Sequence, residues 1–539
     1  MSGQSLPDPP SLEQYEKQAK DLLRDHAQAD AAALDRMARY HPRIGDHSPE
    51  VIGRFHLADA QLVIAREHGF ESWPEFVSRI ETLRLTGEVD SLPDPAAAFI
   101  EAACVPRESH SSGTLEEAGM ILARYPSVAA ANIYIAALLA DEDSVRAFLA
   151  RDAAGANAKG GPRGWDALTH LCFSRYLRLD RGRSDAFVRT ARALLDAGAS
   201  PNTGWIEMID HPNPRPVLEA AIYGAAGIAQ HAGLTRLLLE RGADPNDEET
   251  PYHVPEARDN TVLQILLESG RLNPRSLSTL LLRKCDWHDP GGVRLALEHG
   301  ADPNWITVWG HGALHQAVRR DNSIEIIECL LDYGADPALP NRDGRSAIAM
   351  AAHRGRADAL HLFEKRGSPL MLTGVDALIA ACAIDDKETI RLLAATEPQL
   401  KPLAPSLGGT LLAQFSGVGN VAGVRNLLDL GVSPAALYGE GDGYFGIARD
   451  STALHVAAWR AWPEVVMELI ARGTPVNATD AQGRTALQLA VKACVDSYWT
   501  DRRSPEAVRA LLEAGASTVG IELPTGYDDV DTLLRQRLA

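Results

Sequence analysis

Lysine is nearly missing from this sequence. The 539 residues hold eight lysines against 45 arginines, and 72 acidic residues outnumber the 53 basic ones, for a formal net charge of −19. Such a charge repels nucleic acid and anionic membrane unless a strong basic patch overrides it. One stretch could qualify, "SRYLRLDRGR" with Arg175, Arg178, Arg181 and Arg183, and it reads as an arginine-rich solvated loop. The arginine bias points to a GC-rich bacterial genome, which is a codon signal and carries no function. Cysteine is sparse too: Cys104, Cys172, Cys285, Cys329, Cys382 and Cys494 lie far apart and form no C-x-x-C pair, which excludes a zinc knuckle or a thioredoxin motif. Runs such as "IIECLL" treat cysteine as a small reduced hydrophobe. The longest apolar run, "AANIYIAALLA", falls well short of the roughly 18 residues of a membrane span. The acidic, proline-rich start "MSGQSLPDPPSLEQYEK" does not read as a signal peptide. The expectation is a soluble cytoplasmic protein that binds neither nucleic acid nor membrane and needs no cofactor.

What is present is repetition. Apolar residues at 45% and charged residues at 23% are a globular composition, but 539 residues exceed a single ordinary core. A leucine-rich helix closing on Gly-Ala-Asp/Ser-Pro-Asn recurs as "LLDAGASPN" (194–202), "LLERGADPN" (238–246), "ALEHGADPN" (296–304) and "LLDYGADP" (330–337). Between these lies a second motif: "GALHQAV", "SAIAMAA", "TALHVAA" and "TALQLAV", with "TPYH" at 250–253. Anchors for the second motif fall at 166, 216, 250, 279, 312, 346, 376, 410, 452 and 485, most often 33 or 34 residues apart.

That period and the stretch "GTPVNATDAQGRTALQLAV" (473–491) resemble the ankyrin-repeat family over roughly residues 130 to 518. The resemblance implies an all-α solenoid of about ten helix-turn-helix units with hairpin-like fingers. In it Thr485 caps a first helix, Leu487 and Ala490 face the neighbouring repeat, Gly473 ends a second helix in the left-handed conformation, and Asp480 and Gly483 shape the finger. No single unit can bury its apolar face, so units must stack. This context also settles "GEGDGYFG" (439–446), whose Gly441, Gly443 and Gly446 match the dinucleotide fingerprint G-x-G-x-x-G. A helix end precedes it instead of a strand, and Glu440 and Asp442 would repel pyrophosphate. Gly431 to Thr452 spans 21 residues where Gly300 to Gly312 and Gly473 to Thr485 each span 12, so the stretch is a nine-residue extension of one finger.

The pattern lapses elsewhere. Residues 1–92 carry no ankyrin signature and read as an N-terminal α-helical cap, with Ser72 and Glu75 spaced as a capping box. Residues 93–155 read as degenerate helix-pair repeats, and 156–535 as the array. The turn after Cys172 and the one at "CVDSYWTDRRSP" are enlarged.

The family binds partners through finger tips and positions late in the first helix. Carried over, this picks out Trp305, Val308, Trp309 and His311 on one finger, with Arg319 and Arg320 following; Trp459, Arg460 and Trp462 in the 452 repeat; and Tyr444 on the long finger, with Tyr438 and Phe445. Trp and Arg dominate binding hot spots. The implied function is a non-catalytic protein-protein interaction scaffold. The alternative is an enzyme or metal protein built on Glu248, Glu249, His253, Glu256, Asp286, Trp287, His288, Asp289, His311 and His315. Against that alternative, His253, His315 and His455 occupy the "TPLH" position, whose ordinary role is a structural hydrogen bond, and Asp286 and Asp289 sit where helix caps are expected. No metal ligand and no catalytic residue is assigned.

Overall fold

A computed structural model describes residues 6, 10–41, 57–107, 109–209, 214–398 and 407–538. The chain divides into two compact units, Met1–Asp247 and Glu248–Ala539.

In the first unit, helices Leu12–Ala27, Ala31–Tyr40, Leu57–Glu67 and Trp73–Asp90 enclose a small core of Tyr15, Leu22, Met37, Val63, Ile64, Phe76 and Ile80. Arg36 fastens this core by forking onto the buried Glu67 carboxylate with two contacts of 2.7 Å. Ser72 caps its helix by accepting from Glu75 N, whereas the Glu75 carboxylate accepts from Glu71 N, so the expected box closes one residue early. Helix pairs follow: Pro95–Ala103 with Glu116–Arg124, Ile133–Leu138 with Glu142–Arg151, and Ala167–Cys172 with Ser184–Asp196. Next comes an antiparallel hairpin of β1 (Gly204–Ile209) and β2 (Arg215–Ala220). Helix Ala221–Tyr223 then runs through a wider π turn, Gly224–Ile228, towards helix Ala232–Glu240.

Among the described residues, the second unit stacks eight helix pairs, from Glu249–His253 with Thr261–Glu268 to Ala486–Val495 with Glu506–Glu513, followed by helix Asp528–Leu538. The molecule is mostly helical, an all-α repeat solenoid. The repeat chemistry is visible atom by atom. Gly198, Gly242, Gly300, Gly334, Gly367, Gly431, Gly473 and Gly515 all end second helices with φ between 80° and 99°, a region costly for any residue with a Cβ. Thr485 accepts from Gln488 N, and Leu487 and Ala490 are buried. Asp480 Oδ1 accepts from Gln482 N and Arg484 N, which holds the finger around Gly483.

The asparagine closing the Gly-Ala-Asp-Pro-Asn motif has a role that spacing alone does not reveal. Asn304 Nδ2 donates to Gly334 O and its Oδ1 accepts from Asp336 N, both at 2.8 Å. Asn202 does the same to Gly242 and Asp244, and Asn477 to Gly515 and Ser517. One amide side chain thus reads both polar groups of the next repeat's turn, so neighbouring units register through a fork as well as through apolar packing.

The arginine-rich stretch corrects an expectation. Arg175, Arg178, Arg181 and Arg183 do not wave in solvent. Their guanidinium groups donate to Ala102 O (2.7 Å), Ser112 O (3.1 Å), Ala229 O (2.8 Å) and Leu139 O (3.1 Å), tying backbone of four separate segments together. A planar fork of fixed donors suits this task, and lysine would not replace it.

Candidate protein-binding surface

The ten residues singled out by motif carry-over divide into two groups, and finger length decides the division. The short finger after Gly300 is a tight loop: Thr307 N and Oγ1 both donate to His311 O, and Gly310 N donates to Thr307 O. From the following finger, Arg342 N donates to Gly310 O at 2.9 Å and its guanidinium donates to Val308 O at 3.0 Å. The braced loop turns its large side chains outward. Trp305, Val308 and Trp309 are 38%, 53% and 46% exposed. Trp309 lies 5.7 Å, centroid to centroid, from Tyr252 of a preceding repeat, whose other contacts include the Arg283 guanidinium at 3.9 Å. Arg319 is exposed at the end of helix Ala313–Arg319. His311 is half-buried and faces Asn341 at 3.2 Å, and burial lowers its pKa.

The long finger behaves oppositely. Leu437–Tyr438 (β3) pairs with Ser451–Thr452 (β4), and Asp442 and Ile447 exchange backbone hydrogen bonds of 2.9 Å, so the nine extra residues form a hairpin. Gly441 makes the hairpin possible: its φ is +66° and a Cβ there would lie 2.6 Å from Ile447 O. The tip folds back onto earlier repeats of the same unit. Tyr444 Oη donates to Asp286 O at 2.6 Å and meets His288 Nε2 at 3.1 Å, while Arg320 covers the Tyr444 ring at 3.6 Å. Burial pushes the Tyr444 phenol up to about 12. Phe445 is buried, with Arg460 at 4.1 Å over its ring and its carbonyl accepting from Trp459 Nε1 at 2.6 Å.

Arg460 is therefore not a ridge residue, and that expectation is corrected. Its side chain is 5% exposed, clasped between Phe445 and Trp499 (4.3 Å), and it donates to Asp321 Oδ2 at 3.2 and 3.3 Å. Arg354 forks onto the same carboxylate with two contacts of 2.7 Å. Burial works against the Asp321 charge, yet Arg354, Arg460 and Arg356 together hold its pKa down to about 2. Burial dominates at Arg460, whose guanidinium is lowered to about 10. Trp462, expected in the open turn, donates to Gly417 O at 2.8 Å, lies against Gly419, and carries Arg502 over its ring at 4.3 Å. Arg320 donates to Asp286 Oδ1 at 2.7 Å. Both insertions, the long finger and the enlarged turn with Trp499 and Arg502, thus pack against the array itself, the finger reaching back to Asp286, His288 and Arg320. The sequence signal was the extra length itself; its destination depends on contacts more than 130 residues away in the chain.

The cluster at 248–315 separates into local pairs. His253 meets Glu256 at 3.0 Å and Glu249 at 3.3 Å; burial opposes its charge, but the two carboxylates outweigh that and raise its pKa to about 9. Asp286 accepts from Gln316, Arg283 and Arg320, so it anchors an ion network and does not cap a helix as expected. Asp289 does cap, accepting from Gly292 N, and also pairs with the buried Lys284 at 2.8 Å. His315 accepts from Gly312 N and meets Leu339 O at 2.9 Å; His455 meets Thr452 N, Ala478 O and Arg484 O in the same manner, the structural hydrogen bonds expected of that position. His253 is the exception in this set. The carboxylates of this cluster pair locally with cations of the chain, Glu248 with Arg275, Glu256 with Arg283 and Asp289 with Lys284. All six cysteines are buried free thiols, and burial raises the Cys104 and Cys382 pKa values to about 12.

Comparisons with known proteins agree with the repeat chemistry. Residues 281–370 match the family model "Ankyrin repeats (3 copies)", and 449–481 match "Ankyrin repeat". The human Notch-regulated ankyrin repeat-containing protein is 46% identical over 57 residues, 10% of this chain and 49% of that protein. The human transient receptor potential cation channel subfamily A member 1 is 27% identical over 146 residues, 25% of this chain and 13% of the channel. This chain therefore spans about half the length of the first relative and an eighth of the second. Among solved structures, the human ASB11 ankyrin repeat domain is 22% identical with a TM-score of 0.23, covering 50% of this chain and 99% of that one; the Bcl-3 ankyrin repeat domain is 19% identical with a TM-score of 0.21, covering 49% and 97%. Ankyrin repeats generally mediate protein–protein interaction, and the family is typically non-enzymatic.

Proposed function

We propose that this chain, which belongs to the ankyrin-repeat family by its repeats at 281–370 and 449–481, is a non-catalytic scaffold whose protein partner docks on the finger ridge of Trp305, Val308 and Trp309. One observation carries the reading: three large apolar side chains stand exposed on one short loop that the next finger's Arg342 braces. Such a patch costs solubility unless something covers it, and a braced loop loses little entropy when it is covered. Arg319, at the end of the helix that follows, adds an exposed cation. On the first-helix face further along Phe445 and Arg460 are buried, while Tyr444 is 39% exposed. A cytoplasmic, bacterial setting without nucleic-acid or membrane partners belongs to the same proposal, supported by the acidic charge and the arginine bias.

The test is affinity capture with the full chain as bait, followed by titration of whichever protein is retained. Trp305→Ala/Trp309→Ala should weaken that binding about 30-fold or more, the loss expected for a hot-spot aromatic worth about 2 kcal/mol. Unchanged affinity in the double variant overturns the reading.

A further inference from the structure

The hairpin of β1 and β2 in the first unit turns two carboxylates inward beside the buried Trp205 and Val217. Its register pairs Trp205 with Glu219 and Glu207 with Val217, so Trp205, Glu207, Val217 and Glu219 share one face, and Ile206, Met208 and Leu218 share the other. The face turned inward carries the carboxylates: Glu219 is 2% exposed and Glu207 is half-buried. The face turned outward carries the aliphatics, with Ile206 60% and Met208 56% exposed. A slip of one residue would exchange the faces and expose the buried Trp205 and Val217, so their burial holds this register and carries the two carboxylates inward with it. Carboxylates taken into a buried face call for counter-charge or ligation there.

A third donor meets them there. His110 offers a ring nitrogen, and Glu207 and Glu219 each offer an oxygen, all within 4.8 Å of one another. His110 is held for the purpose: Nδ1 lies 2.6 Å from the hydroxyl of the buried Tyr223, and the ring stands edge-on to Trp205. With Nδ1 donating to that hydroxyl, Nε2 is the nitrogen left to ligate, the arrangement found behind metal-bound histidines. Tyr223 itself enters the π turn Gly224–Ile228, a local distortion that recurs at binding sites.

We propose that His110, Glu207 and Glu219 bind one divalent transition-metal ion, with Zn2+ best suited to one imidazole and two carboxylates without sulfur, and that the ion clamps the segment around His110 onto the hairpin. Three protein donors leave at least one coordination position for water or a further ligand. The charged groups around it are Arg215, which the register puts on the same hairpin face diagonal to Glu207, and Arg107, whose guanidinium lies 5.5 Å from the Trp205 ring. They are the rival account, in which arginine supplies the counter-charge and the hairpin is purely structural.

The full chain, freed of metal with a chelator, should bind one equivalent of added Zn2+ by calorimetry, and its melting temperature should rise on loading. Glu207→Gln and Glu219→Gln should each weaken binding at least tenfold. Tyr223→Phe, which removes only the hydroxyl, should weaken it about tenfold through His110. If Glu219→Gln fails to fold, the half-buried Glu207 decides the matter. A wild-type chain that takes up no Zn2+ or Mn2+ at about 1 mM, a threshold of roughly 4 kcal/mol, overturns the site. So does Zn2+ binding that survives Glu207→Gln together with His110→Ala, since the ion would then sit elsewhere.

Discussion

Two fingers of one repeat array carry the same kinds of residue and come to opposite ends. The finger after Gly300 holds two tryptophans and a valine in the open. The finger after Gly431 is nine residues longer; its Phe445 is buried under Arg460, and its Tyr444, though 39% exposed, is tied down by Asp286 and Arg320. The difference lies in reach. The short loop is braced by the next finger's Arg342, while the hairpin extension crosses the face to meet charges that lie far off in sequence. An aromatic on a loop is thus left loose or tied down according to loop length and to what charge waits across the gap.

The sharpest way to break the contrast is at Asp321. Asp321→Asn leaves Arg354 and Arg460 buried without their counter-charge, a situation that typically costs about 3 to 5 kcal/mol, and denaturant unfolding should register that loss. If stability is unchanged, the network is not what holds the long finger's repeats together. Phe445→Ala comes next. Its ring is buried under Arg460, so truncation should cost about 3 kcal/mol and free the hairpin to proteolysis. A change as mild as that at an exposed residue would return this finger to the list of partner surfaces.

A smaller, pH-dependent effect belongs to His253. Its pKa is raised to about 9 in the fold, so its stabilising contribution is present in full below its unfolded value near 6.5 and is lost as pH rises towards 9. Unfolding free energy measured across that window should fall in the parent chain, and the slope should flatten in His253→Gln. Smallest of all on stability is Trp305→Ala/Trp309→Ala. Each ring is more than a third exposed, so the melting midpoint should move by no more than the equivalent of about 0.5 kcal/mol per site. A sharp drop would mean that Trp309 and Tyr252 pack as a structural pair, and the two fingers would then differ less than their exposure indicates.

Much of this was legible in the residues themselves. Thr485, Gly473, Asp480 and the histidines at 315 and 455 do what the motif demands, because each makes bonds within one repeat or to the next, at fixed separations along the chain. Asn304 and its equivalents belong to the same local grammar, though their fork onto the next turn was not read from spacing. Trp459, Arg460 and Trp462 were misjudged as open surface for the opposite reason, and Tyr444, 39% exposed, is bonded to Asp286 all the same. Nothing near them in sequence announces Asp321 or Gly417 as partners. The arginines at 175 to 183 failed in the same way, since the carbonyls they bind belong to distant segments.

What the sequence determined by itself is the repeat: its period, its caps, its left-handed glycines and its apolar faces, all consequences of local geometry and of units too small to stand alone. Tertiary structure decided where the irregular pieces went. An insertion carries no periodicity to constrain it, so its course is chosen by burial and charge pairing with groups that only folding brings near. That choice filled one stretch of the face around Asp321 and left Trp305 and Trp309 exposed on another.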